Sequence, residues 1–249
     1  MRDYENEKKQ RVEFIRASIE SASASGVVFG NSGGKDSALV GILCKMACDN
    51  TVGIIMPCGS QRNYEMDRED AEKIANHYGI TTRLLDLSDT RDSLLRCIEV
   101  EAQLNNSAIA NIAPRLRMTT LYAVAASENL LVAGTGNASE RYMGYFTKWG
   151  DGAFDFNPIA DLRVTEVYEF LNYLNAPSFI FGKAPSAGLF DGQTDEDDMG
   201  ITYERIDDFL LNGTASEDDR AIIERYHTSS EHKRIMPRMF PGLPEQESR

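Results

Sequence analysis

A glycine-rich turn between an apolar run and a helical one constrains this fold more than any other stretch. Residues 27–29 read Val-Val-Phe, residues 30–37 read Gly-Asn-Ser-Gly-Gly-Lys-Asp-Ser, and residues 38–43 are apolar. A strand that ends in such a turn and opens a helix aims backbone N–H groups at an anion. The three glycines let the backbone approach a phosphate closely. The turn therefore predicts a phosphate site.

This turn is not a Walker A loop, which requires Gly, four residues, Gly-Lys and then Ser or Thr. Here Gly34 and Lys35 are followed by Asp36, and Phe29 stands where the first glycine belongs. What remains, Ser-Gly-Gly-x-Asp-Ser, resembles the pyrophosphate-binding loop of the N-type ATP pyrophosphatases, which split ATP into AMP and pyrophosphate. An ordinary β–α turn is the alternative interpretation, and the other motifs of the chain must decide between the two.

Apolar runs alternate with helical patterns as far as residue 133. Such alternation predicts an α/β fold, a parallel sheet with helices on both faces and right-handed crossovers. Ligands of these sheets bind at the carboxyl ends of the strands, where residues 30–37 and 134–137 fall. The predicted strands are 27–29, 52–57, 83–87 and 130–133, and the predicted helices are 5–24, 38–48, 67–78, 91–104 and 114–128.

The length of 249 residues fits a single domain, and we expect its C-terminal third, from about residue 140, to be rich in loops. Residues 141–161 mix glycine, aromatic residues and Asp, as in a binding loop. Residues 190–198 contain five carboxylates, and Phe190 is their only large apolar side chain, which predicts that residues 189–200 form a lid that becomes ordered when substrates bind. Further helices are predicted at 164–174, 202–211 and 216–226.

The composition excludes several functional classes. A formal charge of −13 and a pI near 4.7 disfavour a nucleic-acid partner, which would require clustered Lys and Arg. No apolar run approaches the ~20 residues of a membrane span, and the charged start is no signal peptide. Four cysteines, at 44, 48, 58 and 97, form no CxxC pair. We therefore expect a cytoplasmic protein with reduced thiols, no membrane association and no nucleic-acid partner.

Further motifs decide in favour of an enzyme. Residues 134–140 read Gly-Thr-Gly-Asn-Ala-Ser-Glu, residues 144–152 read Gly-Tyr-Phe-Thr-Lys-Trp-Gly-Asp-Gly, and residues 231–234 read Glu-His-Lys-Arg. With residues 111–118 and 185–189, they resemble NAD synthetase in the order that this family shows, over about residues 10–240. The resemblance implies an adenine nucleotide alpha-hydrolase-like fold. It also implies a reaction in which ATP adenylates the nicotinate carboxylate of deamido-NAD, and ammonia then displaces AMP to give NAD.

The resemblance also implies a set of site residues. Mg²⁺ prefers carboxylate and phosphate oxygens, and Asp36 and Glu140 match the metal ligands of the family. Helix capping by Asp36 and a solvated charge at Glu140 are the alternatives. We expect catalytic roles for Asp36, Glu140 and Lys148. The expected ATP contacts are Gly30, Asn31, Ser32, Gly33, Gly34, Lys35, Asp36, Ser37, Thr135, Arg163 and Ser186, and the expected deamido-NAD contacts are Arg115, Lys148, Asp155, His232 and Lys233.

The sequence departs from the family pattern in two places. The family usually carries a lysine that contacts ATP phosphate at the position of Val164, and here the nearest cation is Arg163. Residues 58–63 are also unlike the usual run, so adenine contacts there are left unassigned.

Two other readings stay open at this stage: another adenylating synthetase of the GMP or asparagine branch, and a nucleotide sensor without turnover. We expect a homodimer that uses free ammonia. The first strand begins by residue 27, and no cysteine has a nearby set of residues that would activate it as a glutaminase nucleophile. A separately encoded glutaminase remains an alternative source of ammonia.

Overall fold

The fold is built on a sheet of four parallel strands in the order β3-β2-β1-β4. A computed structural model describes residues 2–59, 66–182, 194–237 and 239–240. Strand β1 lies inside the sheet and pairs with both β2 and β4, so its carboxyl end has a neighbouring strand on each side. The strands are β1 Gly26–Gly30, β2 Thr51–Ile55, β3 Thr81–Leu84 and β4 Leu130–Ala133.

Helices connect and follow the strands. Side-chain caps begin several of them: Asp3 accepts a hydrogen bond from the Asn6 N–H, and Ser216 accepts one from the Asp219 N–H. The helices are α1 Tyr4–Ser21, α2 Lys35–Ala47, α3 Met66–Tyr78, α4 Ser88–Glu99, α5 Asn106–Ala110, α6 Ile112–Glu128, α7 Ala138–Met143, α8 Val164–Tyr173, a 3-10 turn Ser178–Gly182, α9 Asp195–Met199, α10 Tyr203–Asn212, α11 Glu217–Ser229 and α12 Glu231–Arg234.

Both faces of the sheet are covered, as the alternation of strands and helices predicts. Because successive residues of a strand point to opposite faces, Phe29 packs into a core with residues of α1, α2 and α8, whereas Val28 packs with Ala125 of α6. None of the helices formed by the described residues combines the length and the hydropathy needed to span a bilayer.

A third apolar cluster lies beyond the sheet and fixes the C-terminal helices. Met143 of α7, Val164 of α8, Ile206 of α10 and Ile223 of α11 are all buried in it. This cluster anchors α7, which carries Glu140, against the later helices. Val164, at the position where the family usually carries a lysine, is therefore part of a hydrophobic core in this chain.

Several predicted boundaries were wrong. Strand β3 spans 81–84 rather than 83–87, because Thr81 pairs with Val52 and Leu84 with Ile55. Helix α4 spans 88–99 rather than 91–104, since the chain turns after Glu99, where the Ala102 N–H bonds back to the Ile98 carbonyl. The short helices α5, α7, α9 and α12 were not predicted.

The segment expected to form a lid lies partly within the described residues. Residues 195–199 form helix α9, whose N-cap Thr194 accepts a hydrogen bond from the Asp197 N–H. Asp195 and Met199 are buried, and the Asp195 carboxylate accepts a hydrogen bond from the Tyr203 hydroxyl. These contacts attach this part of the segment to the start of helix α10, and its ordering on substrate binding stays a prediction. Residues 189–193 lie outside the described residues, as does Ser186.

Candidate active site

A cavity of about 620 Å³ opens at the carboxyl ends of β1, β2 and β4. This is within the usual size range of small-molecule sites. Its walls come from the glycine-rich turn, the segment after β4, the loop that follows α7 and helices α6 and α11. The expected site residues that line it are Gly30, Asn31, Ser32, Gly34, Lys35, Asp36, Ser37, Thr135, Glu140 and Lys233.

The glycine-rich turn is held rigidly against helix α3. Gly33 has φ +73°, and a β-carbon there would lie 2.4 Å from the Asp67 carbonyl oxygen, so only glycine fits. The buried Asn31 side chain donates a hydrogen bond to the Ala71 carbonyl at 3.1 Å. The hydroxyls of Ser32 and Ser37 lie 3.1 Å apart at the mouth of the turn. This part of the turn is therefore preorganised before any ligand binds.

A single residue, Asn137, contacts both predicted metal ligands. It is fully buried, its side-chain amide donates to Asp36 Oδ1 at 3.1 Å, and its backbone N–H donates to Glu140 Oε2 at 3.1 Å. Its side-chain oxygen accepts from the Glu140 N–H at 3.0 Å, which completes a capping box at the start of α7. Asn137 was not among the predicted site residues, although its Asn-x-x-Glu spacing carries that capping signal.

In the corner formed by Asp36, Asn137 and Glu140, neighbouring ionisable groups shift the pKa values of Glu140 and Lys35. Burial and the neighbouring Asp36 charge raise the pKa of Glu140 to about 8, partly offset by Lys35. The Lys35 ammonium lies 2.7 Å from Asp36 Oδ2. Burial lowers the pKa of Lys35, but the Asp36 and Glu140 carboxylates outweigh burial and hold that pKa above its ordinary value. Two carboxyl groups and one ammonium are therefore packed together where the phosphate-binding turn meets α7.

The carboxylates of Asp36 and Glu140 fit Mg²⁺ as that ion is commonly bound beside a nucleotide. Asn137 holds the carboxylates of Asp36 and Glu140 next to each other in the cavity lining, where both can face one cation. Among the described residues, no group of three or more His, Cys, Asp or Glu could hold a metal by itself. Mg²⁺ commonly binds through one or two carboxylates, with phosphate oxygens and water completing its shell. Two carboxylates beside a phosphate turn suffice for that arrangement.

A buried polar hub, formed by Asp207, Ser139 and the backbone N–H groups of residues 164 and 165, supports α7. The Asp207 carboxylate is 2% exposed, accepts a hydrogen bond from the Ser139 hydroxyl and accepts another from the Thr165 N–H at 2.7 Å. The Val164 N–H in turn donates to the Ser139 oxygen at 3.2 Å. The hub thus ties the helix that carries Glu140 to the start of α8. Sequence reasoning missed it because Asp207 lies far along the chain.

A second wall of the cavity is formed by the loop after α7. The Lys233 ammonium donates to the carbonyl oxygens of Gly144 and Phe146, both at 2.8 Å. The Lys148 ammonium donates to the His232 carbonyl, and the Arg115 guanidinium donates to the Lys148 carbonyl at 3.4 Å. The structure therefore brings together four of the residues predicted to hold deamido-NAD, although among them only Lys233 lines the cavity itself.

Two predicted contacts are engaged elsewhere and lie outside the cavity lining. The Arg163 guanidinium donates to Glu166 at 2.8 Å and to the Asp207 carbonyl at 3.1 Å, so it supports α8 instead of facing the phosphate turn. The two oxygens of Asp155 accept hydrogen bonds from the Val132 N–H and the Tyr122 hydroxyl. Both side chains therefore have partners within the protein, and their contacts with ligands stay predictions.

One cation in the cavity was not predicted. The Arg117 Nε donates to the Met56 carbonyl at the end of β2, at 3.0 Å, and burial lowers the pKa of the guanidinium. It is the second arginine of the 111–118 motif, two residues after Arg115. Residues two apart on a helix face different directions, so Arg115 and Arg117 could have been predicted to serve different parts of the site.

The sheet, the turn and the paired carboxylates define an α/β nucleotide-binding enzyme with the N-type ATP pyrophosphatase fold. Its family follows from comparison with known proteins: the chain belongs to the NAD synthase family, whose model matches residues 7–239. This confirms the resemblance and the fold class predicted from the sequence. It also makes the protein an ATP-using ligase.

Individual relatives agree with this placement. The chain is 45% identical over 238 residues to the NH(3)-dependent NAD(+) synthetase of Carboxydothermus hydrogenoformans, with 94% of this chain and 97% of that protein covered. Among solved structures it is similar to the NMN synthetase from Francisella tularensis, with a TM-score of 0.91, 37% identity and coverage of 98% and 100%. It is also similar to the NH3-dependent NAD synthetase from Campylobacter jejuni, with a TM-score of 0.79, 29% identity and coverage of 97% and 100%.

Proposed function

We propose that this chain amidates deamido-NAD with ammonia at the expense of ATP, giving NAD, AMP and pyrophosphate. The observation that carries the proposal is the meeting of the phosphate turn with the Asp36, Asn137 and Glu140 corner in one cavity. In the reaction, the nicotinate carboxylate attacks the α-phosphorus of ATP and pyrophosphate leaves. Ammonia then attacks the acyl carbon and displaces AMP.

The residues of the turn would hold the triphosphate. The backbone N–H groups at the start of α2 and the hydroxyls of Ser32 and Ser37 can donate to phosphate oxygens, and Thr135, after the neighbouring strand β4, also lines the cavity. Asp36 and Glu140 would hold Mg²⁺, which when bound stabilises the charge that develops on the leaving pyrophosphate. We leave Arg163 out of the ATP site, since Glu166 and Asp207 already engage its guanidinium.

The acid substrate would lie against the second wall. Arg115, Lys148 and Lys233 supply positive charge for its phosphates, and His232 belongs to the same cluster. Each Asp155 oxygen accepts one hydrogen bond at present and keeps a further lone pair, with which the carboxylate could accept a hydrogen bond from the substrate. We further propose that the chain takes free ammonia, as the names of the relatives state for those proteins. A homodimer in the cytoplasm is part of the same proposal.

The decisive experiment incubates the purified protein with ATP, Mg²⁺, deamido-NAD and ammonium and measures AMP and NAD together. Equal amounts of the two products are expected. Formation of neither product, with ATP still bound, would favour a nucleotide sensor. AMP formation that depends on xanthosine monophosphate or aspartate instead of deamido-NAD would favour the other synthetase branches.

One observation favours a second substrate. The similarity to the structure named NMN synthetase, at a TM-score of 0.91, suggests nicotinate mononucleotide as an alternative acid. The chemistry at the carboxylate would be the same, and only the adenylyl half of the dinucleotide would be missing. Measuring kcat/KM for both acids under identical conditions decides between them, because the preferred substrate must give the larger value.

A further inference from the structure

Lys35 is a buried lysine in the lining of the cavity, and burial of a charged side chain requires an explanation. It is the first residue of α2 and only 7% exposed. Its ammonium lies 2.7 Å from Asp36 Oδ2 and within 6 Å of two ring centroids, 5.9 Å from that of Tyr168 and 5.8 Å from that of Tyr203. Such rings attract a cation through their faces. The side chain is thus held inside the cavity.

A buried ion pair of this kind contributes little net stability. Desolvation of the two charges offsets most of their attraction. The pair nevertheless lies in the corner where Asn137 also holds a second carboxyl group, that of Glu140. The arrangement therefore neutralises a carboxylate corner rather than stabilising the fold.

The other cations of the cavity have partners away from this corner. Among the described residues, Arg117 and Lys233 are the other cationic side chains in its lining. Arg117 donates to the carbonyl of Met56, and Lys233 donates to two carbonyls of the loop after α7. Arg163 supports α8, and Val164 is buried in an apolar cluster. Lys35 is accordingly the cation best placed to reach the phosphate turn, from which it extends.

We propose that the Lys35 ammonium neutralises Asp36 in the nucleotide-free protein and moves to a phosphate oxygen of ATP when Asp36 becomes a metal ligand. The proposal rests on the ATP site proposed above and assigns the Lys35 side chain a role beyond that of its backbone. Before ATP and the metal bind, the Lys35 ammonium keeps the carboxylates of Asp36 and Glu140 together. After ATP and the metal have bound, the same ammonium acts on the leaving pyrophosphate, where a positioned cation is most effective.

This exchange requires effects of opposite sign when the charge is removed. Without the ammonium, Asp36 and Glu140 lose a competitor and should bind a divalent cation more tightly in the absence of nucleotide. ATP loses one charge-assisted hydrogen bond and should bind more weakly. If Lys35 had only a structural role, removing its charge would weaken the binding of both the divalent cation and ATP, or change neither. Tighter cation binding together with weaker ATP binding therefore identifies the exchange.

The test uses Lys35→Met in the full chain, which keeps the length of the side chain but removes its charge. Mn²⁺ alone is titrated by calorimetry, and α,β-methylene-ATP is titrated separately in excess Mg²⁺. We expect the Mn²⁺ Kd to fall about fivefold and the analogue Kd to rise roughly tenfold or more, as loss of a hydrogen bond to a charged group implies. Lys35→Gln provides a second variant if the methionine variant does not fold.

The control is Lys45→Met, which removes the same charge from the last turn of the same helix, where Lys45 bonds to the Asp49 carbonyl. It should change neither Kd. An unchanged or raised Mn²⁺ Kd in the Lys35 variants, or an unchanged analogue Kd, would overturn the proposal. Neither titration needs the acid substrate or ammonia, so a failure to form NAD would leave this result interpretable.

Discussion

At the scale of single residues, the site depends on Asn137. This side chain and its backbone hold the carboxylates of Asp36 and Glu140 in one corner, although the two are more than a hundred positions apart in the sequence. The carboxylates themselves are predictable from their motifs. Their common anchor is not, because hydrogen bonding between two motifs depends on how the strands are ordered in the sheet.

Asp36→Asn and Glu140→Gln should each abolish pyrophosphate release without unfolding the protein. Each substitution removes a charge from the proposed Mg²⁺ site, which should cost several kcal/mol of transition-state stabilisation. Pyrophosphate is measured in a coupled assay, and folding is checked by circular dichroism. Glu99→Gln, at the exposed end of α4, is the control. Near-normal pyrophosphate release by both variants would remove these carboxylates from the metal site.

Asp207→Ala should destabilise the protein by about 2 to 3 kcal/mol, because the Thr165 N–H and the Ser139 hydroxyl would lose their buried acceptor. Denaturant unfolding measures the difference. Asp208→Ala changes the neighbouring exposed carboxylate and should have an effect within about 0.5 kcal/mol of zero. Equal stability of the two variants would show that the hub does not support α7.

At the scale of elements, the long helices and the strands follow from apolar periodicity, whereas the short helices do not. Helices α5 and α7 have five and six residues, too few for a periodic pattern, and both begin at an asparagine cap. Capping signals could have located them. The edge strand β3 was misplaced because its burial is irregular, so the alternation that sets register is weak there.

The start of α8 should make the protein sensitive to acid. Burial works against ionisation of Glu166, but hydrogen bonds from Arg163 and Arg2 outweigh it and lower the pKa of Glu166 to about 2. A lowered folded-state pKa gives stability that is complete above pH ~4.5 and is lost as the pH falls towards 2, about 3 kcal/mol in all. Unfolding free energies of wild type and Glu166→Gln should therefore converge over this interval. A constant difference would contradict the assignment.

We expect helix α4 to be part of the interface of the proposed homodimer. It has no buried residue, and Leu94 on the helix is 38% exposed; Leu84 and Leu85, at the end of β3, are 41% and 36% exposed. Apolar side chains of this kind commonly meet a second copy across a two-fold axis. Leu94→Glu should give monomers in light scattering, whereas Leu211→Glu, at an exposed leucine of α10, should not. A dimer that survives Leu94→Glu would exclude this face.

At the scale of the whole molecule, the purified chain should make NAD with ammonium and little with glutamine. Burial raises the pKa of the thiols of Cys44 and Cys58, which is the opposite of what a glutaminase nucleophile requires. The rate at fixed total ammonium should rise with pH as NH₄⁺ loses its proton. Comparable turnover with ammonia-free glutamine would contradict the prediction.

The contacts of Lys233 with the carbonyls of Gly144 and Phe146 also have a consequence for synthesis on the ribosome. The four strands are complete once residue 133 has been made, so the sheet can begin to fold while translation continues. The far wall of the cavity, in contrast, needs a residue made a hundred positions later. A nascent chain can therefore acquire most of its core well before it can retain a nucleotide, and a prematurely terminated product would resemble the enzyme in its sheet but not in its binding.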